Sequence, residues 1–338
     1  MIHSPEHIVI LGAGAVGCFV GATWAIAAPD WRFTLIARPH LAQDLAGGMR
    51  LTDYDGLDRK YAPQIETTPE ALRSATLIVL TVKGPATQAA IAQIEAHAPA
   101  DVPVLTLQNG LEPARLLKQS MPDREVLTGT VTFNVSRQGK NQWHKGSRGG
   151  VFANEHPILR QLAEAAEGGP AELELVKDMV PVQWGKLLLN LNNAVNALSG
   201  LTLREQLSQR TYRRVLAASI GEALDIMEYA AILPMRVGAT TPQAAVRLLR
   251  LPDFLFTNIA LRIQKMDAHA RSSMADDFAA GRLTEIDDLN GEIVRLAHEK
   301  GVKAPVNAAI LKLVKLAENG GRRQYSGPEL VDAVKARG

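Results

Sequence analysis

The stretch GKLLLNLNNAVNALSG, residues 185–200, sets one lysine and four asparagines in an otherwise apolar segment. At 100° per residue along a helix, Lys186, Asn190 and Asn193 fall within about 60° of one another. Asn196 points roughly 80° from Lys186, and Asn192 lies on the far side. Leu187, Leu188, Leu189, Leu191, Val195 and Leu198 fill most of the remaining circumference. A helix apolar nearly all round is a buried one, and buried amides and ammonium groups need partners. The stripe is either the polar seam of a core helix or an active-site wall, in which an ammonium group donates a proton and neutral amides grip a polar substrate.

A second constellation lies near the N-terminus. GAGAVG, that is Gly12, Ala13, Gly14, Ala15, Val16 and Gly17, directly follows the apolar run HIVIL and opens a helical pattern. In that context the three glycines serve a tight turn, close approach of a pyrophosphate, and packing of helix on strand. The free N–H groups of the helix start then meet the diphosphate. The end of the next strand, TLIARPH, offers Arg38 and no carboxylate. An acidic residue there would bind a ribose 2′-hydroxyl, whereas arginine accommodates a 2′-phosphate, so NADP(H) is expected over NAD(H). Lys83 ends IVLTVK and Asn109 ends VLTLQN. Beyond the carboxyl ends of parallel strands, both are expected to share one rim with the glycine loop.

The elements that must position these groups are of two kinds. Up to about residue 176, short β-rich runs alternate with helical patterns: HIVIL, RFTLI, TLIVL and VPVLTL are interleaved with helices beginning near residues 15, 87 and 112. Fully apolar strands between helices argue for a parallel sheet covered on both faces. RLTDYDG and RKYAPQIET suggest a polar hairpin. From Val182 onward, long helical patterns dominate. The expected fold is therefore α/β, an N-terminal Rossmann-type doubly wound sheet followed by an all-helical C-terminal domain. The expected domains are 1–178 for the dinucleotide and 179–338 for substrate and catalysis, with ligand in the cleft between them. In RLTEIDDLNGEIVRLA, Thr284 is the expected N-cap, Asp287 completes a capping box, and Glu285 occupies the first turn.

Composition narrows the function classes. At 338 residues with formal net charge +2, there is no electrostatic case for nucleic acid or an anionic membrane. The basic cluster KNQWHKGSRGG, short and glycine-rich, is expected to be a solvated loop or hairpin. The single cysteine, Cys18, excludes an intrachain disulfide, fits a reducing compartment, and is expected in the core. MIHSPEH lacks the features of a signal peptide and no apolar run reaches membrane-span length, so a cytoplasmic protein is expected. The eight histidines show no paired ligand spacing, and no metal is expected.

Taken in order, ILGAGAVG, TVK, LQNG, WGKLLLN, SSM and TEIDDLNG resemble the ketopantoate reductases (2-dehydropantoate 2-reductases) from about residue 8 to 310. The resemblance implies NADPH-dependent reduction of 2-dehydropantoate to pantoate, a step of pantothenate biosynthesis. It implies Lys186 as general acid, Asn190 holding substrate, and Ser273 hydrogen-bonding the substrate carboxylate. Glu285 would bind the substrate hydroxyl and help set the protonation state of Lys186. Asn109 and Lys83 would line the cofactor and the join between domains, with Asn109 in reach of substrate too. Glu222 resembles a less diagnostic glutamate near the lysine. The departure is Ala194, where the family pattern often has a second asparagine; Asn193 is the expected substitute.

Hydride addition to a 2-oxo acid requires a proton on the carbonyl oxygen, and a positioned ammonium both stabilises the developing alkoxide and supplies that proton. Desolvation lowers a lysine's pKa and a nearby carboxylate raises it, so Lys186 with Glu285 close by would be poised for transfer. Two alternatives stay open. One is a paralogue acting on another branched 2-oxo acid or an imine, with Ala194 and the 232–254 segment as the places to differ. The other is an NADPH-binding sensor without turnover. The partner is a small 2-oxo acid, and the apolar C-terminal helices can pack within the chain or against a second copy as a homodimer.

Overall fold

The computed structural model describes residues 6–236, 240–256 and 270–335. The chain divides into two compact units, Met1–Met179 and Val180–Gly338.

The first unit holds twelve strands among its described residues: β1 (His7–Leu11), β2 (Arg32–Ile36), β3 (Met49–Asp53), β4 (Asp58–Tyr61), β5 (Gln64–Glu66), β6 (Leu77–Leu80), β7 (Val104–Thr106), β8 (Val126–Val131), β9 (Val135–Gln138), β10 (Gln142–Lys145), β11 (Val151–Asn154) and β12 (Leu173–Val176). Eight form one sheet in the order β12-β11-β8-β7-β6-β1-β2-β5, parallel throughout except where β11 meets β8. The chain runs from β1 outward to β2 and then returns to lay β6 on the other side of β1. This is the switch point at which such sheets bind ligands.

Both faces of the sheet are covered, which is why its strands are continuous apolar runs rather than alternating ones. On β1, Ile8 and Ile10 point into one core and Val9 and Leu11 into the other. The first core is closed by Phe19 and Trp24 of α1 (Ala15–Ala27) and by Ile158, Leu159 and Leu162 of α5 (Pro157–Ala165). The second is closed by Ile91 and Ile94 of α3 (Thr87–His97) and by Leu117 of α4 (Glu112–Ser120). Between these, α2 (Pro39–Leu45) begins one residue after Arg38. Cys18 is buried in the first core, where desolvation pushes its thiol up to about 12, so it packs and does not react.

The remaining strands form a small sheet, β4-β3-β10-β9. The expected polar hairpin is β3–β4, paired from Met49↔Tyr61 to Thr52↔Asp58. The basic cluster is a hairpin strand and the turns around it, with Lys140 and Arg148 exposed as expected and two residues turned inward. Trp143 and Lys145 on β10 are both buried, and the Lys145 ammonium donates to the carbonyls of Gly149 at 2.9 Å and Pro170 at 2.6 Å. Trp143 supplies the apolar surface, and the carbonyls satisfy the lysine.

The second unit contains α6 (Val180–Asn190), α7 (Asn192–Ser199), α8 (Leu203–Ser208), α9 (Arg210–Tyr229), α10 (Pro242–Leu249), α11 (Ser273–Ala279), α12 (Asn290–Glu299), α13 (Pro305–Glu318) and α14 (Gly327–Ala333). The segment read as one helix over 185–200 is two, interrupted at Leu191 although its backbone stays helical (φ −58°, ψ −23°). Gly200 ends α7 at φ +69°, a left-handed cap that glycine adopts without strain. A capping box of Thr202 and Glu205 then starts α8. On α9 the fully buried Arg213 donates to the carbonyls of Leu207, Leu249 and Leu251 and pairs with Asp253 at 2.8 Å, fastening α10 and the residues after it. Of the 232–254 segment, residues 237–239 lie outside the described residues. No helix among the described residues is long and apolar enough to cross a membrane.

Candidate active site

At the carboxyl ends of β1, β6 and β7 the backbone itself assembles a rim. Thr81 donates from its hydroxyl to the Gly12 carbonyl at 2.6 Å, joining the end of β6 to the glycine loop. Gly12 sits at φ +112°, and a Cβ there would come within 2.6 Å of the Val82 nitrogen. A Cβ on Gly17 would collide with the Gly12 carbonyl and the Thr81 hydroxyl. These two glycines are therefore required by the protein's own packing. Gly14 differs: it is exposed, and a Cβ there would meet nothing within 4 Å. The space in front of Gly14 is open, and the α1 start behind it has no side-chain cap. Ala13, Ala15 and Val16 complete the loop and are partly buried.

Arg38 is exposed just past β2, and residues 37–40 include no carboxylate. Lys83 is exposed at the start of a short 3₁₀ turn, Gly84–Ala86. Asn109 is partly buried just past β7, ahead of Gly110 at φ +80°. The residue that joins these two positions is one the sequence reading passed over. Gln108 is buried, donates from Nε2 to the Val82 carbonyl at 2.9 Å and to the Thr87 hydroxyl at 2.8 Å, and accepts from Thr106 at 3.1 Å.

In the helical unit, Lys186 and Asn190 lie one turn apart on α6, both buried. Desolvation lowers the Lys186 pKa to about 8, and it is the sole cause. The expected upward pull of a neighbouring carboxylate plays no part in that value. Asn193 follows the interruption and is partly exposed, whereas Ala194 is fully buried. Asn192, expected on the far side, has its side chain accepting from Gln206 at 3.1 Å.

Ser272 and Ser273 divide their tasks. Ser272 is buried and caps α11, accepting from the Ala275 N–H at 3.2 Å. Ser273 is exposed as the first residue of that helix. Glu285 is partly buried in a turn that precedes α12. Here the sequence expectation is corrected: Thr284 does not cap a helix, because α12 begins only at Asn290. The Thr284 hydroxyl donates instead to Glu318 at 2.7 Å, the Thr284 N–H to the same oxygen at 2.8 Å, and Asp287 pairs with Lys315. Ile286, Leu289, Ile293 and Leu296 are nonetheless buried as expected. Glu222 is committed elsewhere, its carboxylate accepting from the Val306 and Asn307 N–H groups at 2.8 and 2.9 Å as the cap of α13.

Comparison with known proteins adds the deciding observation. The family model described as ketopantoate reductase PanE/ApbA matches residues 8–156, and its C-terminal counterpart matches residues 178–318. The chain belongs to the ketopantoate reductase family. The 2-dehydropantoate 2-reductase of Halobacterium salinarum is 27% identical over 324 residues, spanning 93% of this chain and 100% of its own. The crystal structure of a PanE/ApbA family ketopantoate reductase from Ralstonia eutropha JMP134 has a TM-score of 0.78 at 27% identity, covering 93% of this chain and 99% of that one. A D-mandelate dehydrogenase solved with NADH and anilino(oxo)acetate shares the fold, with a TM-score of 0.76 at 18% identity over 93% and 99% of the two chains. As a ketopantoate reductase family member, the chain carries its glycine loop in the first matched segment and Lys186, Asn190, Asn193, Ser273 and Glu285 in the second.

Proposed function

We propose that this protein reduces 2-dehydropantoate to pantoate with NADPH, Lys186 acting as the general acid. The observation that carries the reading is Lys186 itself: an ammonium sunk in an apolar helix, its pKa lowered to about 8 by desolvation, with the Asn190 amide one turn away. A structural lysine would be paired or exposed; a proton donor for neutral-pH chemistry has a pKa near the working pH.

The open face of Gly14 fits a dinucleotide diphosphate, and Gly12, Ala13, Gly14, Ala15, Val16 and Gly17 would hold it, with Lys83 and Asn109 on the same rim. Arg38, with no carboxylate beside it in residues 37–40, supports a 2′-phosphate and so NADP(H). When bound, the reduced nicotinamide supplies the hydride. Lys186 gives its proton to the substrate's carbonyl oxygen and stabilises the negative charge that develops there. Asn190 and Asn193 hold the substrate's polar groups and the Ser273 hydroxyl its carboxylate, and Glu285 takes the substrate hydroxyl. The partial exposure of Asn193, against the full burial of Ala194, supports Asn193 in the role the family pattern gives to its second asparagine. The cytoplasm is the compartment this reading implies, and a homodimer is carried with it, to be decided by sedimentation velocity.

Steady-state NADPH oxidation with 2-dehydropantoate, 2-oxoisovalerate and pyruvate tests the proposal, for wild type and Lys186→Ala. Turnover on 2-dehydropantoate that collapses in the variant, with little use of NADH, is expected. Turnover confined to another 2-oxo acid overturns the substrate while leaving the chemistry. NADPH binding without turnover overturns both.

A further inference from the structure

Asn196 is fully buried, and both of its amide atoms are engaged. Oδ1 accepts from the Ser272 backbone N–H at 2.9 Å, and Nδ2 donates to the Leu201 carbonyl at 3.1 Å. The Ser272 hydroxyl in turn donates to the Asn193 carbonyl at 3.1 Å. The residue immediately before Ser273 is thus tied to α7 through its main chain and its side chain, and α7 is the helix that bears Asn193. A carboxamide meets an N–H and a carbonyl through two separate atoms, an oxygen that accepts and a nitrogen that donates, and so spans the two groups here. Aspartate would set a carboxylate against the Leu201 carbonyl, and leucine would leave both backbone groups buried without partners.

We infer that Asn196 is a positioning residue, which holds Ser273 in register with Asn193 so that a hydroxyl and an amide converge on one carboxylate-bearing substrate. The inference rests on the reading of Ser273 as a substrate contact given above. Asn196 reaches no substrate itself, because its polar atoms are already spent on the protein.

A double-mutant cycle on the full-length chain tests it, using Asn196→Ala, Ser273→Ala and the pair. At saturating NADPH, Ser273→Ala is expected to raise KM for the 2-oxo acid about tenfold, the size of a lost hydrogen bond to a charged group. Asn196→Ala should raise the same constant several-fold and leave KM for NADPH within about twofold. The pair should be no worse than Ser273→Ala alone, since a contact already lost cannot be lost again. Effects that multiply in the pair, or an Asn196→Ala that raises both KM values together, overturn the inference and leave Asn196 a structural residue. If Asn196→Ala does not fold, Ser272→Ala removes the hydroxyl bridge to Asn193 together with the cap on the Ala275 N–H while leaving the main-chain bond to Asn196, and the same non-additivity with Ser273→Ala is expected. A Ser273→Ala variant indistinguishable from wild type, or a wild type that turns over no 2-oxo acid, instead overturns the underlying reading and the inference with it.

Discussion

Gln108 donates to the Val82 carbonyl at 2.9 Å, and through that one bond the turn that starts at Lys83 is fixed to the strand end that carries Asn109. The carboxamide also meets Thr87 and Thr106, so replacing it takes a partner from three buried or partly buried polar groups at once.

Gln108→Leu is therefore expected to cost about 1–3 kcal/mol of stability and to raise the Kd for NADPH several-fold. KM for the 2-oxo acid should change less. Urea denaturation and NADPH fluorescence titration read the two effects separately.

Gly14→Ala and Gly17→Ala should part company. Gly14 has open space where the methyl would go and φ −78°, so the alanine variant should fold with a Tm at or slightly above wild type. Its NADPH affinity should fall at least about tenfold, since the methyl occupies the diphosphate's approach. Gly17→Ala, which meets the Gly12 carbonyl and Thr81, should lose Tm as well. Thermal melts with and without NADPH distinguish the cases.

Lys186 should show in both the pH profile and the stability. In the proposed role of proton donor it must be protonated, so kcat/KM should fall as pH rises through about 8. Its folded pKa lies below the unfolded value of 10.5, so between about 8 and 10.5 the unfolded chain binds the extra proton and this group's contribution to stability rises with pH. At pH 7 the buried charge is a net cost on the order of 3 kcal/mol. Lys186→Met should then raise Tm at pH 7 while lowering kcat by at least about a hundredfold.

His7, buried at the start of β1, accepts from Arg32 and meets Thr34 at 2.8 Å. Desolvation lowers its pKa, the hydrogen bond to the Ser74 carbonyl offsets part of that, and the Arg32 charge lowers it further. The folded state favours the neutral ring, so stability is held above the unfolded value of 6.5 and declines as pH falls below it. Wild-type Tm should drop from pH 7 to pH 5 by more than that of His7→Gln, measured by calorimetry at constant ionic strength.

What the sequence discloses and what it conceals follow one line. The strands of the first unit are visible because a strand buried on both faces must be apolar along its length, and the glycine loop because Gly12 and Gly17 answer to local sterics. The helix α5 escaped the reading, although Pro157 at its start and the apolar Ile158, Leu159 and Leu162 were there to be used. Thr284 and Asp287 had the spacing of a capping box, yet their partners are Glu318 and Lys315, about thirty residues further along. Glu222 likewise serves the start of a helix more than eighty residues downstream. The interruption at Leu191 has no proline or glycine to announce it, and the backbone there keeps helical angles. For Thr284, Asp287 and Glu222 the deciding partner is distant in the chain, which no local pattern can announce.

That interruption separates two inheritances. Lys186 and Asn190 belong to α6; Asn193 belongs to α7, fastened to Ser272 and so to the residue beside it. The proposed proton donor and the proposed grip on the carboxylate thus sit on two helices that meet at a single residue. A lineage adapting to longer or bulkier acids could retune the second helix through substitutions around 191–196 and 270–273 while the first stays untouched. Substrate preference in such a protein would drift faster than its chemistry.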